Sequence, residues 1–317
     1  MTQDILIRAE QLYRYYSGHC AVKNVSFDVR RGEILGFLGP NGAGKTTTMQ
    51  ILAGSLAPSS GQVRINDFDL LDKPKQAKQG LGYLPETPPL YRELTVTEYL
   101  AFCARLNRIP RNQQAGAIAS AINRCGLKKV SKRLIGNLSK GYQQRVGIAQ
   151  AIIHFPSVII LDEPTVGLDP IQIREIRELI RELAQKHSVI LSTHILPEVQ
   201  AICDRVQIIN QGELVLTDTI AGLSQRMEAT SILVRFDAPP TTEALMSIKG
   251  VTSVEREEDG RFRLRYQPDK QDPVEELVRR TVDKGWHLRE LTPERRTLEE
   301  IFVAITQTET SQEPVLL

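Results

Sequence analysis

The chain has 317 residues, 41% of them hydrophobic, which suits about two globular domains with ordinary cores. Its 40 basic and 38 acidic residues nearly cancel, and the basic residues are scattered, which argues against a nucleic-acid partner. The four cysteines have neither CxxC nor zinc-ligand spacing, and no apolar run reaches the roughly 18 residues of a membrane span. We therefore expect reduced thiols, no signal peptide, and no membrane segment in this chain.

The first half of the chain changes from strand-like to helical patterns. Residues 1 to about 70 contain alternating runs such as VSFDV, which are typical of an antiparallel sheet. The apolar run EILGFLG then enters a glycine-rich turn and a helix-forming segment, KTTTMQIL. Farther on, Thr95 and Glu98 form a Thr-x-x-Glu capping box at the start of a helix. We predict a helical insert over about 87–137.

The second half has two different rhythms. The runs SVIIL, SVILST and DRVQIIN alternate with helical segments, as in a parallel α/β sheet. Beyond them the segments follow the order β-α-β-β-α-β, which is that of a ferredoxin-like α+β domain. We predict domains at 1–222 and 228–306, the second ending in the helix TLEEIFVAIT, and a polar tail at 307–317.

The stretch GPNGAGKT, from Gly39 to Thr46, matches the phosphate-loop pattern G-x-x-x-x-G-K-[ST]. Its backbone N–H groups can surround a β-phosphate, Lys45 can bridge the β- and γ-phosphates, and the Thr46 hydroxyl can bind magnesium. A glycine-rich turn without a ligand is the alternative, which the flanking strand and helix disfavour. The predicted nucleotide-binding residues of this loop are Asn41, Gly42, Ala43, Gly44, Lys45, Thr46 and Thr47.

Two further strands end in polar residues. Asp162 and Glu163 directly follow the apolar run SVIIL, and His194 follows SVILST. All three residues therefore belong at the carboxyl edge of the sheet, where ligands of α/β folds bind. We predict that Asp162 holds Mg²⁺ through water and that Glu163 is the general base for an attacking water molecule. Taken alone, the acidic pair would indicate a turn, and the histidine would indicate a structural role.

These motifs, in this order over residues 1 to about 220, resemble those of the ATP-binding cassette family, the nucleotide-binding subunits of ABC transporters. The resemblance implies a P-loop NTPase fold, the cofactors ATP and Mg²⁺, and ATP hydrolysis. It also implies that Tyr16 stacks on adenine, that Asp169 is the acid of the D-loop, and that His194 contacts the γ-phosphate.

The segment LSKGY, from Leu138 to Tyr142, resembles the family signature LSGGQ. The resemblance implies that Ser139, Gly141 and the N-terminus of their helix bind the γ-phosphate of an ATP held by a second cassette. Lys140 and Tyr142 depart from the family's glycine and glutamine. The implied partners are a second cassette, expected to be an identical copy, and an integral membrane permease that holds the chain at the cytoplasmic face of the membrane.

Glu86 stands where the family has the glutamine of the Q-loop, and a surface turn is its alternative interpretation. A glutamate can still ligate Mg²⁺, but it adds negative charge beside Asp162 and Glu163. Together with Lys140 and Tyr142 it resembles a bacterial subgroup that includes cassettes associated with gliding motility. The C-terminal segments resemble an accessory domain of export cassettes.

We therefore expect the ATP-hydrolysing subunit of an exporter with a separately encoded permease. The alternative is a soluble ABC ATPase that acts on ribosomes or nucleic acid. A single phosphate loop, the lack of a heptad run and the near-neutral charge disfavour it. A small-molecule kinase is a third hypothesis, which LSKGY and LDEP disfavour.

Overall fold

The computed structural model describes residues 4–226, 231–266 and 272–294. Contacts divide the chain into two compact units, Met1–Ile220 and Ala221–Leu317. The predicted helix TLEEIFVAIT and the polar tail lie outside the described residues. The finer domain limits at 1–222 and 228–306 stay predictions.

The elements are numbered in chain order. The strands are β1 (Ile5–Tyr16), β2 (His19–Arg30), β3 (Ile34–Leu38), β4 (Ser60–Ile65), β5 (Phe68–Asp69), β6 (Leu81–Leu84), β7 (Val158–Asp162), β8 (Ser188–Thr193), β9 (Arg205–Asn210), β10 (Glu213–Thr219), β11 (Ser231–Phe236), β12 (Val251–Arg256), β13 (Phe262–Tyr266) and β14 (Leu288–Glu294). The helices are α1 (Lys45–Leu52), α2 (Pro74–Gln79), α3 (Val96–Leu106), α4 (Arg111–Arg124), α5 (Lys140–Ile152), α6 (Pro170–Ala184), α7 (Leu196–Ile202), α8 (Ile220–Arg226), α9 (Thr242–Met246) and α10 (Val274–Lys284).

The first unit contains two sheets that share a hydrophobic core. One sheet is antiparallel, with strand order β2-β1-β4-β5, and the other has the order β10-β9-β3-β8-β7-β6. In the second sheet β9, β3, β8, β7 and β6 run parallel, and β3, β7 and β8 are buried along their whole length. The rings of Phe27 and Phe37, 5.5 Å apart, join the two sheets within this core. The predicted antiparallel start and parallel-sheet core are confirmed.

Helices α3, α4 and α5 follow one another without an intervening strand, which agrees with the helical insert predicted from the sequence. The capping box is present, because the Thr95 side chain accepts a hydrogen bond from the Glu98 backbone while the Glu98 carboxylate accepts one from the Thr95 N–H. Short 3₁₀ turns at Lys128–Val130 and Ile135–Asn137 complete the segment between α4 and α5. The insert thus leads directly into the helix that begins after Ser139.

The second unit has the chain order β11-α9-β12-β13-α10-β14 and the strand order β12-β13-β11-β14, all antiparallel. This is the ferredoxin-like order expected from the sequence, in which each helix connects two strands that are not neighbours. Its core includes Ile232, Val234, Leu264 and Leu277. The predicted fold class is therefore confirmed: a P-loop cassette followed by a small ferredoxin-like α+β domain.

Two further observations bear on the expectations of reduced thiols and of no membrane segment. All four cysteines are free. Over the residues that the structure describes, no helix combines the length and the apolar character needed to cross a bilayer.

Gly82 tests the packing of β6 against α5. A methyl group at Gly82 would overlap the carbonyl oxygen of Ala151, a backbone atom that cannot turn aside. We expect Gly82→Ala to lower the free energy of unfolding by about 1–3 kcal/mol, measured by urea denaturation.

The matched control is Gly116→Ala on the exposed surface of α4, where a methyl group meets no atom within 4 Å. It should raise the free energy of unfolding by up to about 1 kcal/mol, because alanine is the better helix former. Equal effects of the two substitutions would contradict this account of the β6–α5 contact.

Candidate functional site

The phosphate loop connects β3 to α1 at the carboxyl edge of the parallel sheet. Gly44, the N-cap of α1, has a φ of +102°, and a Cβ atom there would lie 2.5 Å from the carbonyl oxygen of Ala21. Only glycine fits this conformation and this close approach. The sequence therefore forces the loop to wrap around the N-terminus of α1, which leaves backbone N–H groups free to bind an anion.

The Lys45 ammonium is fixed beside the loop. Its Nζ donates to the carbonyl oxygens of Gly39 at 2.9 Å and Pro40 at 3.1 Å, and it lies 3.2 Å from Glu163 Oε1. Both charged side chains are nearly buried, at 5% and 7% exposure. A buried charge is stable only when it is paired and hydrogen-bonded, so the loop holds a positive charge at a defined point of the cleft.

Asp162 lies beneath the cleft at the end of β7. Its Oδ1 accepts a hydrogen bond from the Ser192 hydroxyl and lies 3.4 Å from Thr46 Oγ1. Burial raises the pKa of Asp162 above its ordinary value. The negative charges of Glu163 and Glu86 act in the same direction, while the hydrogen bonds from Ser192 and Thr46 act against it.

The oxygen atoms at this point fit a divalent cation. Asp162 Oδ2 is buried and has no hydrogen-bond partner in the described part of the chain, an arrangement that a cation would relieve. The Thr46 hydroxyl faces the same carboxylate. Among the described residues no group of three or more His, Cys, Asp or Glu side chains could hold a metal by itself. The donor set suits Mg²⁺, which retains water and phosphate ligands and needs few protein ligands.

Glu163 connects the two sides of the cleft. Its Oε1 pairs with Lys45, its Oε2 lies 3.0 Å from His194 Nδ1, and its backbone N–H donates to the Ser192 carbonyl oxygen at 3.1 Å. The backbone of Glu163 has a φ of +47°, which is unusual for a residue other than glycine. Such strain persists where surrounding contacts enforce it, commonly at functional positions.

Nine of the predicted residues line one cleft of about 360 Å³. They are Asn41, Gly42, Gly44, Lys45, Thr46, Thr47, Glu86, Glu163 and His194. Ala43 is buried in the core, and Asp162 is fully buried next to Thr46. The structure thus brings the phosphate loop, the two strand-end acids and the histidine together, and Glu86 belongs to the same cleft.

Tyr16 is not among the residues that line this cleft. It ends β1, pairs with His19 across the β1–β2 hairpin, and is 41% exposed. The guanidinium carbon of Arg14 lies 4.7 Å from the centroid of its ring, a cation–π contact. One face of the ring is therefore covered, and the adenine-stacking role of Tyr16 stays a prediction. The rings of Tyr13 and Tyr15 stack on each other.

The signature residues lie on a different surface. Ser139 is the N-cap of α5, and its hydroxyl accepts a 3.5 Å hydrogen bond from the Tyr142 N–H. Ser139 and Gly141 line a second cleft of about 560 Å³ with Asp169, the N-cap of α6. A Cβ atom at Gly141 would lie 2.9 Å from the Gln172 side chain, so glycine lets the two helix starts pack closely. This cleft shares no residue with the phosphate-loop cleft.

Sequence reasoning missed a network of polar residues behind the cleft. Ser192 binds both Asp162 and the Glu163 backbone. Next to it, the Thr193 hydroxyl donates to Glu198 Oε2 at 2.8 Å and accepts from the Ile195 N–H at 3.1 Å, which fixes the turn that carries His194. The sequence signal that could have revealed this network is the polar pair Ser192 and Thr193, which ends the otherwise apolar strand SVILST.

Ser192→Ala tests this network. The substitution removes the hydroxyl that binds the Asp162 carboxylate, and hydrogen bonds to charged groups contribute about 1.5–3 kcal/mol. We expect the kcat of the predicted ATP hydrolysis to fall by about 10–100-fold, measured as phosphate release with saturating Mg²⁺ and ATP.

Ser188→Ala is the matched control, because the Ser188 hydroxyl accepts a 2.7 Å hydrogen bond from the Gly32 N–H at the opposite end of the same strand. It should lower the free energy of unfolding by about 1 kcal/mol and leave kcat unchanged. Equal losses of kcat in both variants would mean that Ser192 only stabilises the fold.

Comparisons with known proteins agree with this geometry. Residues 22–166 match the family model described as ABC transporter. Over 305 residues the chain is 33% identical to the bacitracin transport ATP-binding protein BcrA of Bacillus licheniformis, covering 95% of this chain and 97% of that protein. It is 39% identical over 223 residues to the uncharacterized ABC transporter ATP-binding protein YxlF of Bacillus subtilis, covering 70% of this chain and 74% of the relative.

Solved structures show the same fold. An ATP-binding subunit of an ABC transporter matches with a TM-score of 0.63 and 32% identity. The protein cbiO1 of Clostridium perfringens, part of the transporter complex cbiONQ, matches with a TM-score of 0.65 and 29% identity. Each match covers 70% of this chain and 92% of the solved one. Together with the phosphate loop, the strand-end acids and the signature helix, these similarities establish that the chain belongs to the ATP-binding subunits of ABC transporters, a family of ATPases.

Proposed function

We propose that this chain is the ATP-hydrolysing subunit of an exporter whose membrane permease is a separate polypeptide. The observation that carries the proposal is the separation of the two clefts. The phosphate-loop residues and the signature residues Ser139 and Gly141 line different surfaces of one chain. A complete site therefore requires a second cassette, and an identical copy facing head to tail would supply two such sites.

Within each site the residues have distinct tasks. Bound Mg²⁺ would supply positive charge to the phosphates, held by Thr46 and Asp162 with Glu86 as a further oxygen ligand. We propose that the Glu163 carboxylate accepts a proton from an attacking water molecule and that His194 contacts the γ-phosphate. The 3.0 Å contact between Glu163 and His194 supports a further role of His194 in orienting that carboxylate. Tyr16 would stack on the adenine of the same ATP.

Our proposals that the transporter exports its substrate and that this chain lies at the membrane rest on its similarity to relatives. One relative is named for bacitracin transport, and another, 33% identical over 229 residues, is the linearmycin resistance ATP-binding protein LnrL of Bacillus subtilis. We propose that this chain lies at the cytoplasmic face of the membrane through a permease docked near Glu86 and the helical insert. The similarity of Glu86, Lys140 and Tyr142 to gliding-motility cassettes supports that subgroup as a finer proposal.

Glu163→Gln tests the catalytic assignment and the transporter function together. The amide retains the shape of the side chain but cannot accept the proton, so we expect kcat to fall at least about 100-fold while ATP binding persists. Affinity purification of the tagged variant with ATP, from detergent-solubilised membranes of its own cell, should recover a polytopic membrane protein, identified by mass spectrometry.

Glu182→Gln on the exposed surface of α6 is the control and should retain full turnover. Undiminished hydrolysis in Glu163→Gln would exclude Glu163 as the base. Recovery of ribosomal or other soluble partners alone, with the cassette absent from the membrane fraction, would favour the soluble ATPase.

We also propose that the C-terminal unit is an accessory domain that supports dimerisation. The proposal rests on its ferredoxin-like fold and its position after the cassette. Removing residues 225–317 in the Glu163→Gln background should weaken ATP-dependent dimerisation at least about tenfold, measured by analytical ultracentrifugation. An unchanged dimerisation constant would exclude this role.

A further inference from the structure

Glu198 is a buried charged side chain that the proposed catalytic steps do not use. It lies in the first turn of α7 and is 1% exposed. An acid in the first turn of a helix usually interacts with the helix start from the surface, where water also solvates its charge. Burial of a carboxylate is unfavourable unless the group is paired and hydrogen-bonded. The burial of Glu198 therefore needs an explanation beyond the start of α7.

The two oxygens of the Glu198 carboxylate face different elements. Oε2 accepts a 2.8 Å hydrogen bond from the Thr193 hydroxyl at the end of β8. Oε1 lies 3.5 Å from a guanidinium nitrogen of Arg177 on α6, and within the described ranges it has no hydrogen-bond partner. The carboxylate thus links the end of β8 with α6.

Through Thr193 this carboxylate reaches the phosphate-loop cleft. Thr193 is fully buried, and its hydroxyl also accepts a 3.1 Å hydrogen bond from the Ile195 N–H. Its carbonyl oxygen accepts a 3.4 Å hydrogen bond from the N–H of Gly39, where the phosphate loop begins. Thr193 therefore lies between the phosphate loop and the turn that carries His194.

His194 depends on this turn for its position. Its side chain is 39% exposed, so packing constrains the ring only in part. Its Nδ1 nevertheless lies 3.0 Å from Oε2 of Glu163, a nearly buried carboxylate. A hydrogen bond of this length is lost when one partner shifts by about 1 Å. The backbone turn after Thr193 must therefore aim the ring.

We propose that Glu198 is a positioning residue for ATP hydrolysis, which holds the Thr193 hydroxyl and thereby places His194 beside the Glu163 carboxylate. The inference rests on the proposed roles of Glu163 and His194. A charged acceptor makes the hydrogen bond from Thr193 stronger than a neutral acceptor would, which accounts for a carboxylate at this buried point. Arg177 compensates its charge from α6.

A contribution to stability alone is the alternative role of Glu198. Buried ion pairs contribute little net stability, because desolvation cancels much of the attraction. Here the pair is also incompletely satisfied, since Arg177 Nε and Glu198 Oε1 have no hydrogen-bond partner in the part of the chain that the structure describes. A contact kept only for stability would be expected to satisfy these atoms.

Thr193→Val tests the contact, because valine keeps the branched shape of threonine and removes the hydroxyl. We expect the kcat of the full chain, measured as phosphate release, to fall about 10–100-fold while the KM for ATP changes less than about threefold. Glu198→Ala should give the same result. Thr193→Ser and Glu198→Gln keep the hydroxyl and an acceptor oxygen, so each should retain at least about a third of kcat.

Thr281→Val is the matched control for the loss of a buried hydroxyl. The Thr281 hydroxyl donates to the Leu277 carbonyl oxygen at 2.8 Å within α10 of the second unit. This variant should keep kcat within about twofold of the parent value. Urea denaturation checks that each variant is folded, and Thr193→Val decides the question by itself if Glu198→Ala does not fold.

A double-mutant cycle separates positioning from stability. In a His194→Ala background, which itself should have a reduced kcat, Thr193→Val should lower kcat less than about twofold further, because the residue that the hydroxyl places is absent. The same fold loss in both backgrounds would overturn the proposal. A kcat equal to that of the parent in either single variant would overturn it as well.

The ring signal of His194 provides a readout that does not depend on activity. The chain has five histidines, and His194→Ala assigns the signal by its loss from the ¹H–¹³C NMR spectrum. Thr193→Val and Glu198→Ala should both shift this signal, whereas Thr193→Ser and Thr281→Val should leave it in place. An unchanged His194 signal in Thr193→Val would overturn the proposal.

Failure of the catalytic assignment gives a different pattern. Loss of hydrolysis in Glu163→Gln and His194→Ala, with the parent kcat in Thr193→Val, would reject Glu198 as a positioning residue and leave the catalytic assignment intact. Undiminished hydrolysis in Glu163→Gln would reject that assignment, and this inference with it.

Discussion

The parallel register of β3, β8 and β7 is the constraint on which the candidate nucleotide site depends. Leu38 pairs with Thr193, and Ser192 pairs with Asp162, so the three strands end side by side. The next residues along each strand are the phosphate loop, His194 and Glu163. Parts that are more than 100 residues apart in the sequence therefore meet within hydrogen-bond distance because neighbouring parallel strands place their carboxyl ends at one edge.

This edge of the sheet holds several buried charged side chains, and the fold must supply partners for them. Lys45 and Glu163 are both nearly buried and pair with each other, and Asp162 relies on Ser192 and Thr46. Buried ion pairs contribute little net stability, because desolvation cancels much of the attraction. The cluster is better explained by function, since nearly buried charges that are already fixed in position act strongly on a polyphosphate without having to reorganise.

The first unit carries two separate clefts. One cleft is lined by phosphate-loop residues, and the other is lined by the signature residues Ser139 and Gly141. A helical insert between β6 and β7 suits this arrangement, because it extends the sheet-based core with an additional surface while the strand ends keep their register.

The sequence by itself determined the phosphate loop, the strand-end acids, the capping box at Thr95 and the order of elements in both units. These depend on local chemistry, such as the glycine that the turn at Gly44 requires, or on the periodicity of apolar residues. Only the tertiary structure decided that Ser192 supports Asp162 and that Arg14 covers one face of Tyr16. Such contacts join residues that are distant in the sequence or depend on side-chain direction, so neither spacing nor composition specifies them.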